Sequence, residues 1–231
     1  MNKIFKNFKA NDYVLLFSAG ASIGTLFLWG ASYIFPEGEI VGGRRVFENI
    51  PKVLQYIFYV LSAATIFISG YLFSLRVKNW TRGKEEKRKV KLSERILSLL
   101  DGLTMRTVLR FKAAGFMHSL IYIGFLGLFA GTVTLEVHHL MPPSLKFLQG
   151  TTYIVYSFTL ELATIAYLTG LFWALARRLR GAEYRIQTKT TSDDYLTLSL
   201  LIFIGISGIT TEAGRIALEG FPDYERWSFI G

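Results

Sequence analysis

Residues 113–135 read Ala-Ala-Gly-Phe-Met-His-Ser-Leu-Ile-Tyr-Ile-Gly-Phe-Leu-Gly-Leu-Phe-Ala-Gly-Thr-Val-Thr-Leu, which is 23 residues without a charged side chain. As an α-helix, at about 1.5 Å per residue, this stretch reaches about 34 Å and can cross the roughly 30 Å of hydrocarbon in a bilayer. Because a backbone inside lipid must satisfy its own hydrogen bonds, we predict that it is a membrane-spanning helix.

Four further apolar blocks have the same character. They are 13–35, 53–75, 147–176 and 195–211. Only Glu161 interrupts the fourth block in the chain, and apolar residues carry the fifth past Glu212 and Arg215 to Leu218. The sequence therefore predicts an all-α, polytopic membrane helix bundle with five transmembrane helices.

Residues that end or begin helices lie between these blocks. Pro36 closes the first block, Pro51 precedes the second, and Pro142 with Pro143 separates the third from the fourth. Ser192, followed by Asp193 and Asp194, is predicted to cap the fifth helix.

The composition supports a membrane protein and excludes several chemistries. The chain is 51% hydrophobic and 19% charged, against about 25% charged in an average soluble domain. It contains no cysteine. Iron–sulfur clusters held by this chain, thiolate zinc sites, CxxCH-attached haem and cysteine nucleophiles are therefore excluded.

The distribution of basic residues predicts the orientation. Of the 26 Lys and Arg residues, 20 lie in three segments on one side of the predicted membrane and 6 in three segments on the other. The basic segments are 1–12, 76–112 and 177–194, and the others are 36–52, 136–146 and 212–231. The positive-inside rule then predicts a multi-pass protein of the cell membrane with a cytoplasmic N-terminus. The basic run 84–91 is explained by its position beside the membrane, so we expect no nucleic-acid partner.

The second basic segment contains an amphipathic pattern. Its apolar residues recur at helical spacing between charges, at Leu92, Ile96, Leu99, Leu100 and Leu103. The pattern predicts a helix that lies in the cytoplasmic interface of the membrane, or a docking face for a soluble partner.

His118 is the first candidate for chemistry, since it lies about five residues inside the predicted third span. A neutral imidazole can enter a bilayer and can ligate iron, so His118 is a candidate haem ligand. The alternative is a histidine hydrogen-bonded to a neighbouring helix. Tyr122, Phe125, Phe129 and Thr132 fall on the same helical face as His118.

Other polar residues lie at the opposite end of the bundle or in mid-membrane. His138 and His139, about 30 Å along the helix from His118, are candidates for an outer haem, a metal or a quinone pocket, or for an interfacial pair without a role. Glu161 either packs as a protonated carboxyl or takes part in proton transfer. Glu212 and Arg215 are three residues apart and can pair, either to stabilise a helix end or to contact a quinone.

Three stretches carry a resemblance to a known family. They are Phe111 to Thr132, Phe147 to Glu161 and Gly205 to Ala217. Together they resemble respiratory nitrate reductase gamma-type cytochromes b, most closely the version joined to heterodisulfide-reductase-like iron–sulfur quinone oxidoreductases. The resemblance covers about residues 106–231. It implies a haem-binding helical domain there. Residues 1–105, with two predicted transmembrane helices and a basic cytoplasmic loop, lie outside the resemblance.

The resemblance implies one haem b in the inner leaflet, with His118 as axial ligand and Tyr122, Phe125 and Phe129 on the haem face. The second ligand would be a histidine on a further helix, for which residues 227–231 are a possible start. Thr132 stands where dihaem members of the family carry another histidine, so one haem is expected. The acidic–arginine pair Glu212 and Arg215 is also found in the family.

The leading functional hypothesis is therefore a membrane electron-transfer module, part of a quinone-linked oxidoreductase. It would pass electrons between a cytoplasmic iron–sulfur domain or subunit and the quinone pool through haem b. A cofactor-free transporter or channel subunit, with Glu161 in a polar path, is one alternative. A structural membrane anchor is the other.

Overall fold

The computed structural model describes residues 9–32, 43–44, 46–47, 49–82, 91–106, 108–110, 112–180 and 190–230. Within these ranges the regular structure is entirely helical. The α-helices are α1 (Ala10–Ser32), α2 (Lys52–Trp80), α3 (Leu92–Leu103), α4 (Lys112–Leu140), α5 (Thr151–Leu179) and α6 (Ser192–Leu218). Short 3-10 turns occur at Val108–Arg110, Pro143–Leu145 and Asp223–Glu225.

Five of these helices, α1, α2, α4, α5 and α6, are long and apolar enough to cross a membrane. The predicted fold class is confirmed. The fifth predicted span corresponds to α6, which does continue to Leu218. Pro36, residues 84–90 of the basic run and residues 181–189 of the third basic segment lie outside the described residues.

The observed helix ends agree with those predicted from the local sequence, except for the cap of α6. Pro51 immediately precedes α2, as predicted. The cap of α6 is Thr191 and not Ser192, because the carboxylate of Asp194 accepts hydrogen bonds from the Thr191 backbone nitrogen at 2.9 Å and hydroxyl at 3.1 Å. This is a capping box, in which residue N3 satisfies the backbone of the cap residue.

The chain divides into two compact units. The first contains α1, α2 and residues His139–Lys146. In it the Ser22 hydroxyl of α1 donates to the Ala63 carbonyl oxygen of α2 at 2.9 Å. A buried hydroxyl in lipid is stabilised by such an interhelical bond, which joins the two helices.

The second unit contains α3 to α6, with α5 packed against both α4 and α6. Its buried core is formed by Tyr167, Leu171 and Ile202, with surrounding leucines and Ile121 packed against them. This central position of α5 explains why Glu161, which it carries, is enclosed by protein. The predicted domain boundary at residues 105 and 106 stays a prediction.

Gly124 lies at a close approach of α4 to α5. A Cβ atom there would lie 2.6 Å from the Tyr167 backbone nitrogen and 2.7 Å from the Ala163 carbonyl oxygen. Only a residue without a side chain lets the two backbones approach this closely, a common device in membrane helix pairs.

We therefore expect Gly124→Ala to destabilise the protein by about 1–3 kcal/mol, the usual cost of overpacking. The measurement is thermal unfolding in detergent micelles. Gly208→Ala in α6 is the matched control, since a Cβ there meets no atom within 4 Å. Equal melting temperatures for the two variants would contradict the close packing of α4 on α5.

Candidate functional site

Glu161 is a buried carboxyl inside a helix of membrane-spanning length. It lies ten residues, about 15 Å, from the first residue of α5 and is 7% exposed. Its Oε1 accepts a hydrogen bond from the Ser228 hydroxyl at 2.7 Å. A charge at the centre of a bilayer costs about 2.5–3.5 kcal/mol even on insertion scales, so a carboxyl within a spanning helix is a candidate functional group.

Arg215 is at the centre of a cluster of charged side chains at the end of α6. Its guanidinium contacts the carboxylates of Glu212 at 2.6 Å, Glu219 at 2.9 Å and Glu225 at 2.5 Å. The Glu225 side chain is only 1% exposed and that of Arg215 14%. The predicted pairing of Glu212 with Arg215 is confirmed, and two further carboxylates share the same cation.

Two tyrosines complete this cluster. The Tyr153 hydroxyl of α5 donates to Glu225 Oε1 at 2.6 Å, and the Tyr224 hydroxyl donates to Glu219 Oε2 at 2.8 Å. Burial, the hydrogen bond to Glu219 and the negative charge of Glu219 raise the pKa of Tyr224 to about 12. The phenol of Tyr224 therefore remains a hydrogen-bond donor throughout the physiological pH range.

The chain after α6 links this cluster to Glu161. The Ser228 backbone nitrogen donates to the Glu225 carbonyl oxygen at 2.8 Å, while its hydroxyl reaches Glu161. Trp227 fixes the same segment on α5, with its ring centroid 5.2 Å from that of Phe158. Glu161 and the Arg215 cluster thus contact the same segment, residues 222–228, and we call these groups on α5, α6 and that segment the polar site.

Three carboxylates against one guanidinium give the cluster an excess of negative charge if all are ionised. Arginine keeps its proton at every accessible pH, so any proton that the cluster gains must be held by its carboxylates. Glu212 is the carboxylate most open to its surroundings, with 29% of its side chain exposed.

His118 lies at the other end of the bundle, on an exposed face of α4. Phe125 and Phe129 on that face are 50% and 59% exposed and stack on each other at 6.4 Å. Tyr122 is half-buried and Thr132 exposed. On the packed side of α4, α5 fills the space next to glycines such as Gly124. These glycines therefore do not open space beside His118.

His138 and His139 lie at the end of α4 and differ in their surroundings. His138 is 1% exposed, and its Nδ1 accepts a hydrogen bond from the Leu148 backbone nitrogen at 3.1 Å. The ring of His139 packs against Phe47 at 5.9 Å. The contact of His138 with Leu148 holds the loop before α5.

No group of three or more metal-ligating side chains forms among the described residues. The fit of a haem to these residues is incomplete. His118 offers one axial nitrogen, but its exposed face supplies no enclosing wall, and the other two histidines lie about 30 Å along α4. A haem at His118 would need its second ligand and its cover from outside the described residues.

Four residues of the polar site were not predicted from the sequence. They are Tyr153, Glu219, Glu225 and Ser228. Glu219 follows Arg215 by four residues, so helical spacing could have identified it. Glu225 and Ser228 lie in the irregular segment after α6, where no periodicity indicates what they contact.

Five apolar helices of spanning length place the chain among polytopic α-helical membrane proteins. It is similar to the EtfAB:quinone oxidoreductase of Syntrophomonas wolfei subsp. wolfei, with 29% identity over 186 residues. The alignment covers 79% of this chain and 25% of that protein, so the chain spans about a quarter of its relative's length. No family model and no solved structure matches the chain.

Proposed function

We propose that the chain is the membrane part of a quinone-linked electron-transfer oxidoreductase. The observation that carries the proposal is the buried polar site that joins Glu161 to the Arg215 cluster within a bundle of spanning helices. The similarity to part of a quinone oxidoreductase supports it. Interconversion of a quinone and its quinol moves two electrons and two protons, so such a protein needs protonable groups inside the membrane.

The site offers a path for each proton. In quinol oxidation, one quinol hydroxyl donates to Ser228 Oγ, and the Ser228 hydroxyl passes its own proton to Glu161 Oε1, to which it already donates. The second proton goes to the carboxylates around Arg215, of which Glu212 is the most exposed. The two electrons leave to the redox partner, and quinone reduction follows the same path in reverse.

We further propose that His118 supplies one axial ligand to a b-type haem and that Tyr122, Phe125 and Phe129 line its face. The haem, when bound, carries single electrons. The charge distribution supports a cytoplasmic N-terminus in the cell membrane, which puts His118 on the cytoplasmic side. A cytoplasmic iron–sulfur domain or subunit would then exchange electrons with the haem on that side. The opposite end of α4, which carries His138 and His139, would then face outward.

The transporter alternative requires a polar cavity that passes Glu161. The cavity described in the first unit lies between α1 and α2, and mostly apolar side chains line it, including Phe17, Ile66 and Phe73. Glu161 is not among the residues that line this cavity, so the cavity gives the transport alternative no support.

Quinone binding tests the proposal directly on this chain. We expect a photoreactive quinone analogue, added to the protein in vesicles, to label peptides that contain residues 153–161 or 222–228. Ser228→Ala and Glu161→Gln should weaken labelling by up to about tenfold, the value of one hydrogen bond of about 0.5–1.5 kcal/mol.

Ser207→Ala is the matched control, because the Ser207 hydroxyl only donates to the Ile204 carbonyl oxygen of its own helix. It should leave labelling unchanged, and excess unlabelled quinone should abolish labelling in every variant. Labelling that is spread over the lipid-facing helices and insensitive to Ser228→Ala would refute the assignment of this site.

A further inference from the structure

Helix α3 is amphipathic and none of its residues is buried. Five of its six leucine and isoleucine residues share one face, which consists of Leu92, Ile96, Leu99, Leu100 and Leu103, and Leu97 lies outside that face. These side chains are strongly exposed, for example 73% for Leu92 and 64% for Leu99. Glu94, Ser98 and Asp101 lie on the opposite face. Within the described residues, therefore, nothing covers the apolar face.

The chain holds α3 close to a membrane surface. Residues 104–111 connect its end to α4, and the 3-10 turn within this connection packs on the first turn of α4. A Cβ atom at Gly115 would lie 2.3 Å from the Val108 carbonyl oxygen, so the turn and α4 are in direct contact. Because α4 is a helix of spanning length, α3 ends near the level at which α4 enters the bilayer.

The charges around α3 match those of an anionic lipid surface. The described residues just before, within and after the helix include five cations, which are Lys91, Arg95, Arg106, Arg110 and Lys112. Glu94 and Asp101 are its acidic residues, and Asp101 is paired with Arg106 at 3.6 Å. A basic excess beside an apolar face favours insertion among anionic headgroups.

We propose that α3 lies in the headgroup region of an anionic bilayer, parallel to its surface, with the Leu92–Leu103 apolar face toward the acyl chains. A lipid surface is within reach of α3 at all times, because spanning helices precede and follow it in the chain. Covering by lipid also explains how five large apolar side chains remain compatible with an otherwise basic, water-facing segment.

The absence of cysteine from the chain makes a direct test possible. Ile96→Cys and Ser98→Cys place a single nitroxide label on the apolar face and on the opposite face. In vesicles that contain anionic phospholipid, the label at position 96 should collide several-fold more often with dissolved oxygen, which concentrates in lipid, than with a water-soluble nickel chelate. The label at position 98 should show the reverse preference.

Leu100→Cys provides a second label on the apolar face if Ile96→Cys is poorly produced. Vesicles of neutral lipid should increase access of the nickel chelate to either apolar-face label. Equal accessibility at positions 96 and 98 in anionic vesicles would overturn the proposal. A second result would also overturn it, namely that in detergent the label at position 96 becomes less accessible to the nickel chelate as protein concentration rises. A second copy of the chain would then cover the apolar face.

Discussion

Arg215→Met is expected to lower the free energy of unfolding by about 3–5 kcal/mol, the usual cost of removing one partner from a buried ion pair. The substitution keeps an unbranched side chain that fills part of the same space and removes the charge. Glu212, Glu219 and Glu225 would then face one another without the guanidinium that they share. Their mutual repulsion acts at the contact between α6 and the segment that follows it.

Denaturant-induced unfolding in detergent micelles measures this effect. Arg226→Met is the control, because Arg226 is exposed and should change stability by less than about 0.5 kcal/mol. Adding Glu225→Gln to Arg215→Met should restore part of the loss, since it removes the most deeply buried of the three charges. Equal stability of Arg215→Met and Arg226→Met would show that the cluster does not hold the segment in place.

The spanning helices could be predicted because their physical cause is local. A charge-free block of 23 residues has no stable alternative to a helix in lipid, and this is why 53–75 and 113–135 fall inside α2 and α4. The prediction of the α6 cap is wrong by one residue, Ser192 in place of Thr191, and the reason is also local. Thr191 and Ser192 have the same capping chemistry, and only the reach of Asp194 distinguishes them.

The polar site was only half predictable because its contacts join distant parts of the chain. Glu212 and Arg215 pair within one helical turn, so their spacing predicts their contact. Tyr153 and Glu225 are 72 residues apart, and Glu161 and Ser228 are 67 apart. No sequence pattern gives the position of the segment after α6 on α5, which depends on aromatic packing of Trp227 against Phe158.

The surroundings of His118 could not be predicted for a different reason. The helical wheel correctly groups His118 with Phe125 and Phe129 on one face, but lipid and a protein interior are equally apolar. A pattern of hydrophobic residues therefore does not separate a face that meets acyl chains from one that meets a cofactor. The structure leaves His118 exposed among the described residues, so its role depends on what covers that face.

His118→Ala is expected to abolish the α-band of a b-type cytochrome in the dithionite-reduced spectrum of the purified membrane protein from haem-replete cells. The reason is that axial ligation by histidine holds the iron, and the other two histidines lie at the far end of α4. His139→Ala is the control on the same helix, since its ring packs against Phe47 instead. It should retain the full band.

The second ligand decides how this experiment is interpreted. If His118 is the first ligand and the second comes from outside the chain, free imidazole should fill the vacant position and sharpen the α-band of the wild-type protein. The same imidazole should have no effect on His118→Ala, which has no haem to ligate. A colourless wild-type protein, or a band that survives His118→Ala, would remove the haem from the proposal. It would not contradict the proposed quinone site, because Glu161 and Ser228 are tested by quinone labelling and not by the haem spectrum.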